Sequence, residues 1–572
     1  MRRARRFSAE TASRILLSQP DSDTTDSSSS SDYSDSDSED NIDPNVVVED
    51  NINNEWHIIA KGTDTYEPEH VFAGVAGLQR SQVLSADDVD FFVRLYLTDE
   101  LFEMLASWTN IRAEIALEDH DVDPNVDLPA PLSRWRPVTT LEIKKVLGIL
   151  ICMQLNHKPE MRSYWSRSLI YKSDFFNDSR CLPRNRFEEI LRYLRFCDYS
   201  NFDADDKLAK IRPFLTYVQD TCRSTYIPSK EICIDESLLL YKGRLQFRRY
   251  IPSKRARYGI LSYCLCESST GYTWNIHVAA GRAENDRFMS ETPEQVNEFP
   301  FSEKIVVALV STLLDKGYHL FVDNFFSSVR LARFLYERST LLTATIRPQR
   351  GVPQVLKNEV VPVKSHAFAR KSEVLIVKSV DRKSSGVKTI YVVDTAHKAG
   401  TDVRRRILRG GVADDVEKSF SVLSYNKGMG GVDSRDGSLH PYSFSRKSFK
   451  WFTKLSLHLC HVLLKNSWIV YQKSGGSMDF LSYQERAVNC LVLNTGNGRR
   501  AGSSGGRPAS SDVPKQCHAP KRLSPRPNRP RPTKRCKVCF QEGLRKETVF
   551  VCPECPSAPG LCADPCFGKH HS

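Results

Sequence analysis

The spacing of the C-terminal cysteines restricts this chain more than any other feature. Cys536-x2-Cys539, twelve residues, Cys552-x2-Cys555, six residues, Cys562-x3-Cys566 and then His570-His571 supply eight soft or borderline donors. A segment this short cannot bury a core of its own, so metal coordination is the natural source of its folding energy. Eight ligands suffice for two tetrahedral Zn2+ ions, and the arrangement of pairs predicts two interleaved zinc sites. Six of the 16 cysteines crowd into this stretch while the others are scattered, which argues for metal in a reducing compartment over a disulfide framework.

At 572 residues the chain exceeds what one core supports, so several domains with disordered tails are expected. Hydrophobic residues make up 40% and aromatic ones 10%, enough for real cores, and the mean hydropathy is -0.41. The longest apolar run, Val146 to Leu155, is half of the roughly 20 residues that a spanning helix needs, so no membrane partner is expected. The opening Met1-Arg2-Arg3-Ala4-Arg5-Arg6 has no apolar stretch of signal-peptide length after it, which points to a cytosolic or nuclear protein. A net charge of +12 and a pI near 8.9 suggest a polyanionic partner.

Ser and Asp dominate from Asp21 to Asp50, and such a composition cannot offset chain entropy by burial. Residues 1–86 are therefore expected to form a disordered acidic arm, either a phosphorylatable tail that folds back on a basic surface or a solvated linker. Helical periodicity follows. Thr139-Thr140-Leu141-Glu142 has a capping-box pattern ahead of Ile143, Val146, Leu147, Leu150 and Ile151, and Asn185 is expected to cap a second helix with Glu188 reaching back. A helical domain over 87–228 is expected to continue at 441–496, beginning with the helical spacing of Trp451 to Tyr471.

Between these parts the texture changes to short β-branched and aromatic runs: Ile232 to Asp235, Tyr258 to Cys266, Tyr272 to Ala279 and Tyr318 to Val322. They predict an α/β domain over 229–350 that resumes at 421–440. Val374 to Val377 and Thr389 to Val393 predict a β-rich insertion domain over 351–420. Residues 497–535 read as a basic extended linker, suited to a nuclear localisation signal or to tracking phosphates, before the zinc-binding segment 536–572.

Three segments end an apolar run or a Gly-rich turn with aspartate: Ile234-Asp235-Glu236, Val322-Asp323-Asn324 and Gly431-Val432-Asp433. Phosphoryl transfer on a nucleic-acid backbone is served by two hard cations, and hard cations choose oxygen ligands, so three convergent aspartates would suit them. Strand-terminal aspartates also serve as plain caps or turn formers, and spacing alone leaves both readings open.

The surrounding motifs resemble the piggyBac-like transposases over roughly residues 87 to 495 and again at the C-terminus. Ile234-Asp235-Glu236-Ser237-Leu238-Leu239, trailed by Tyr241-Lys242-Gly243-Arg244 and Ile251-Pro252-Ser253-Lys254, resembles the family's first catalytic block. Val322-Asp323-Asn324-Phe325-Phe326-Ser327-Ser328 with Thr345-Ile346-Arg347 resembles the second, and Tyr425 to Asp436 resembles the third. The resemblance implies a multidomain α/β protein with an RNase H-like core and a flanking helical dimerisation and DNA-binding domain. It assigns Asp235, Asp323 and Asp433 as the catalytic triad, holding Mg2+ or Mn2+ with Asp436 as a fourth carboxylate. It also implies a C-terminal cross-brace zinc finger of Cys536, Cys539, Cys552, Cys555, Cys562, Cys566, His570 and His571. There His571 fits the relatives' spacing better, while the assignment of each histidine stays open.

The implied activity is cut-and-paste transposition by a nuclear homodimer acting on double-stranded DNA. Metal-dependent hydrolysis nicks the transposon end, the freed 3′-OH makes a hairpin, and the opened end joins at TTAA. Arg244, Lys254 and Arg347 would grip phosphates, and the Trp451 ring would stack on an unpaired base, with surface charge and core packing as the alternatives. Three other functions compete: a domesticated DNA-binding descendant without chemistry, a zinc-module ubiquitin ligase or histone reader, and a nuclease without strand transfer that uses the same carboxylates.

Overall fold

Runs of β-branched and aromatic residues build one wide mixed sheet in the middle of the chain. Its strands are β1 (His57–Ile59), β2 (Glu231–Leu240), β3 (Tyr258–Glu267), β4 (Thr273–Val278), β5 (His319–Val322), β6 (Leu341–Ile346), β7 (Ser365–Lys371), β8 (Val374–Lys383) and β9 (Gly386–Asp394). This computed structural model describes residues 56–79, 88–122, 135–201, 203, 205–252, 254, 256–290, 292–383, 386–407, 413–442, 450–493, 521–523, 532–552, 555, 558–562 and 565–571. They divide into two compact units at Asn497 and Gly498.

Hydrogen bonds order the sheet β1-β7-β8-β9-β6-β5-β2-β3, with β4 and the short Arg249–Tyr250 strand both pairing with β3. Strands β2, β5 and β6 run parallel and the other pairs are antiparallel. Parallel strands need crossovers, which the helices Phe301–Val310 and Val329–Glu337 supply on either side of β5. All four residues of β5 are buried, as expected for a parallel strand in the centre of a sheet.

The strands expected to form an inserted domain instead widen this sheet, since β9 pairs with β6 through Val393 opposite Ala344 and Tyr391 opposite Ile346. An uncovered edge of β6 would leave backbone groups unpaired, and the meander β7-β8-β9 satisfies them. Within the described part of 351–420, Thr401–Ile407 and Ala413–Ser419 form a separate hairpin.

The arm expected to be disordered through residue 86 is anchored from Trp56 onwards. Strand β1 pairs with β7, His57 opposite Arg370, and Trp56 is buried. The Asp64 carboxylate accepts from Arg370 at 2.9 Å, with the Tyr66 ring 4.0 Å from that guanidinium. Further on, Phe72 packs edge-on against Tyr318, and Gly77–Leu78 pairs with Tyr226–Ile227. Aromatic residues at 56, 66 and 72 give this stretch something to bury, which the acidic composition upstream lacks. The acidic stretch itself lies outside the described residues, as does most of the basic linker 497–535.

In the helical part, Thr139 makes the expected capping box: its side chain accepts from the Glu142 N–H, and Glu142 accepts from the Thr139 N–H, both at 3.2 Å. Asn185 does not cap its helix. Arg184–Tyr193 starts after Pro183, whose φ of -59° already suits a helix entry, and Arg186 turns inward to pair with Glu142 at 2.9 Å. Helices from the two ends of the sequence pack together, Val89–Tyr96 on Trp451–Lys473 and Thr140–Leu155 on Phe480–Val492. The rings of Phe92 and Tyr471 meet at 5.5 Å in that core. Among the described residues no helix is long and apolar enough to cross a membrane.

The second unit is small. Lys534–Arg535 pairs with Glu547–Thr548, Lys521–Arg522 pairs with Phe550–Val551, and a short helix spans Lys537–Gln541. Five of the seven residues in its buried cluster are cysteines, the others being Val538 and Leu561.

Candidate active site and metal centre

Asp235 sits in β2, Asp323 directly follows β5, and Asp433 lies in the first turn of the helix Gly431–Leu439. The parallel pairing sets Ile234 beside Val322, so Asp235 within β2 and Asp323 just past β5 each follow this pair by one residue on adjacent central strands. Glycines bring the third. A side chain at Gly428 would start 2.4 Å from the Phe321 ring, and one at Gly431 would start 2.7 Å from the Cys233 sulfur and 2.8 Å from the Glu267 carbonyl. Only glycine lets this turn lie against β2 and β5.

Asp235 is half-buried, and burial pushes its carboxyl up to about 6; the Glu236 N–H and the Lys254 charge oppose this, while the charges of Asp433 and Glu236 add to it. The Asp433 carboxylate is therefore near enough to be felt by Asp235. Asp323 accepts the Thr345 hydroxyl at 2.7 Å and the Tyr425 hydroxyl at 3.4 Å. Burial, opposed by the Thr345 hydrogen bond and reinforced by Asp323 and Asp235, raises the Tyr425 phenol above its usual range and keeps it a donor.

Lys254 donates to the Glu236 carbonyl at 3.2 Å, beside Asp235, and Arg347 donates to the Asn324 side chain at 3.2 Å, beside Asp323. Both cations thus border the carboxylates. Arg244 is exposed on the loop after β2. Trp451 is half-buried, packed edge-on against Phe247 at 5.1 Å, so its ring joins that same loop to the last helices. Asp436 is placed differently from the triad: one oxygen takes Arg435 at 2.6 Å and the other the Ser237 hydroxyl at 2.8 Å. Arg435 is fully buried and also donates to Thr273, so Asp436 serves as its counter-ion and ties the Asp433 helix to β2.

In the second unit the thiols of Cys536, Cys539, Cys562 and Cys566 lie within 4.8 Å of one another, and among the described residues no other group of three or more potential ligands does so. The Cys539 sulfur is 3.5 Å from that of Cys566 and 4.0 Å from that of Cys562. Burial resists ionisation of Cys536, yet the Cys539 and Cys562 backbone N–H groups bring it down to about 6. Four converging thiols, one readily ionised, fit a tetrahedral soft-metal site. The first cysteine pair thus joins the third and skips the second, which is the interleaved pattern. Cys552 is buried, Cys555 and His570 are half-buried, and the His571 side chain lies outside the described residues.

A profile described as Transposase IS4 matches residues 87–468. The chain belongs to the piggyBac-type transposases. A DDE_Tnp_1-like zinc finger profile matches residues 526–572. Human PiggyBac transposable element-derived protein 3 is 24% identical over 487 residues, covering 82% of this chain and 74% of the relative. Human PiggyBac transposable element-derived protein 2 is 25% identical over 389 residues, covering 64% of this chain and 62% of the relative. The cryo-EM structure of a piggyBac transposase synaptic complex with hairpin DNA superposes with a TM-score of 0.60 at 25% identity, covering 74% of this chain and 83% of that one.

Within this piggyBac-type site, sequence reasoning missed the supporting residues Thr345, Tyr425, Ser237 and Arg435. Each stands inside a motif that carries the resemblance, but a hydroxyl or guanidinium acting through a carboxylate leaves no periodic signal. Only the fold shows which carboxylate each one serves.

Proposed function

We propose that this protein is a cut-and-paste DNA transposase that excises its element through metal-dependent nicking and hairpin intermediates and joins it at TTAA. The observation that supports the reading is that Asp235 and Asp323 stand on neighbouring parallel strands, with Asp433 close enough for its charge to raise Asp235 and with Lys254 and Arg347 bonded to the residues next to the first two. The strand order β4-β3-β2-β5-β6, with the last three parallel, supports an RNase H-like core. Divalent cations, Mg2+ or Mn2+, would be held by the three aspartates and would activate the attacking oxygen and steady the leaving one. Asp235 and Asp433 repel each other without a cation, which favours taking one up.

Around that centre the chain's own residues position the substrate. Arg347 offers a planar guanidinium for bidentate phosphate contact and Lys254 a point charge, while Arg244 extends the basic surface along the loop. Trp451 is placed to brace that loop. The cysteine module would hold two Zn2+, one on Cys536, Cys539, Cys562 and Cys566 and one on Cys552, Cys555 and the terminal histidines. Double-stranded transposon ends, a homodimer and a nuclear location complete the reading, supported by the hairpin DNA in the similar solved complex and by the basic segment before the zinc module.

The second reading, a domesticated DNA-binding protein, is favoured by the human relatives, which carry names of transposable element-derived proteins. Purified protein with Mg2+ and a labelled duplex carrying the element's ends beside TTAA separates the two. Nicks, hairpins and joined products that vanish in Asp323→Ala are expected. Tight binding without cleavage by either protein would establish the binder.

A further inference from the structure

Asp323 is held in a way that the other two aspartates are not. Its Oδ1 accepts both the Thr345 and Tyr425 hydroxyls, at 2.7 Å and 3.4 Å, and the two hydroxyls are themselves 3.4 Å apart. Among the described residues no hydrogen bond reaches its Oδ2. A carboxylate without such donors can rotate, exchange its oxygens or bind a cation through both. One whose first oxygen is occupied by two donors can offer only the second.

The two donors come from different places. Thr345 lies near the end of β6, the parallel neighbour of the strand that leads into Asp323. Tyr425 belongs to the helix Phe420–Gly428, which runs straight into the glycine turn before Asp433. A hydroxyl on the third segment therefore reaches the carboxylate of the second. Small divalent cations demand near-octahedral oxygen geometry, so the direction of each ligand oxygen matters to affinity.

We propose that Thr345 and Tyr425 are positioning residues that fix Oδ1 of Asp323 and present Oδ2 alone to a divalent cation, and that Tyr425 thereby keys the spacing between Asp323 and Asp433. This rests on the metal-dependent reading given above. Partners of metal ligands that act in this way typically change affinity by roughly 10- to 100-fold when removed.

The test is Mn2+ binding by the full-length, zinc-loaded protein, followed by electron paramagnetic resonance, with thermal melting as the check on folding. Asp323→Asn is expected to abolish a Mn2+ site. Thr345→Val is expected to weaken it about tenfold or more, Tyr425→Phe severalfold, and Thr345→Ser, which keeps the hydroxyl, hardly at all. A purely structural role would lower the melting temperature of Thr345→Val and leave Mn2+ affinity unchanged. Wild-type affinity in both Thr345→Val and Tyr425→Phe, with loss in Asp323→Asn, overturns the positioning role and leaves the metal site standing. A wild-type protein that takes up no Mn2+ overturns the metal-dependent reading and this inference together. Should Thr345→Val fail to fold, Tyr425→Phe, which keeps the ring, decides the question alone.

Discussion

The cysteine module and the carboxylate site both gather side chains suited to cations, but over different reaches of chain. Cys539 and Cys566 meet across 27 positions, whereas Ser237 and Asp436 meet across 199. In the module five of the seven buried core residues are cysteines, so a cation held there and the fold would depend on each other. At the carboxylate site the fold exists first: a buried parallel strand, a glycine turn and the Arg435–Asp436 pair set the aspartates in place. Short-range sites borrow their stability from the metal, and long-range sites receive it from the surrounding protein.

That contrast breaks most visibly on metal removal. Chelation, or Cys536→Ser, is expected to unfold the module, because coordination supplies on the order of 10 kcal/mol to segments of this kind. Zinc content by mass spectrometry and proteolysis within 532–571 would report it. Retention of a protease-resistant module after complete zinc loss would put the two regions on the same footing.

A smaller but still large effect is expected on the other side. Asp436→Ala leaves the buried Arg435 guanidinium without its counter-ion, which should cost about 3–5 kcal/mol and be seen as an earlier urea midpoint. Gly431→Ala sets a methyl group 2.7 Å from the Cys233 sulfur, a strain of about 1–3 kcal/mol. If the preformed site is as stiff as described, this variant loses cleavage well before it loses fold.

The smallest effect is on pH. Burial raises Asp235 to about 6, above its ordinary value, so it is protonated below that pH and a cation must displace the proton. Divalent-cation affinity is therefore expected to fall about tenfold per pH unit below 6 and to level off above it. Calorimetric titrations at pH 5, 6 and 7.5 in buffers of different ionisation enthalpy would show the released proton. An affinity that is flat across this range would place Asp235 outside the cation's reach.

Legibility in the sequence follows the same division. The module's cysteine pairs were readable from spacing because each pair is local, and the first and third pairs gather into one cluster. The strands carrying Asp235 and Asp323 were readable from their apolar runs. What was not readable depended on partners far along the chain. Strands β7 to β9 looked like an independent insertion because nothing local says that β9 will pair with β6. The tie between Asp436 and Arg435 was not readable because Arg435, its neighbour in sequence, gives no sign of being buried. Residues 56–79 looked like the tail of an acidic arm because averaging over composition hid three aromatic anchors.

That last segment has a practical consequence for anyone shortening the gene. Trimming up to residue 55 would keep the contacts described for residues 56–79. Starting beyond Leu78 would uncover Phe368 to Arg370 of β7, leave a ready template for neighbouring molecules, and strip Arg370 of its only buried acid among the described residues. A shortened protein that precipitates on expression would then be reporting a lost selvedge, and restoring twenty-odd residues at the front, about the length from Trp56 to Gln79, would be the remedy.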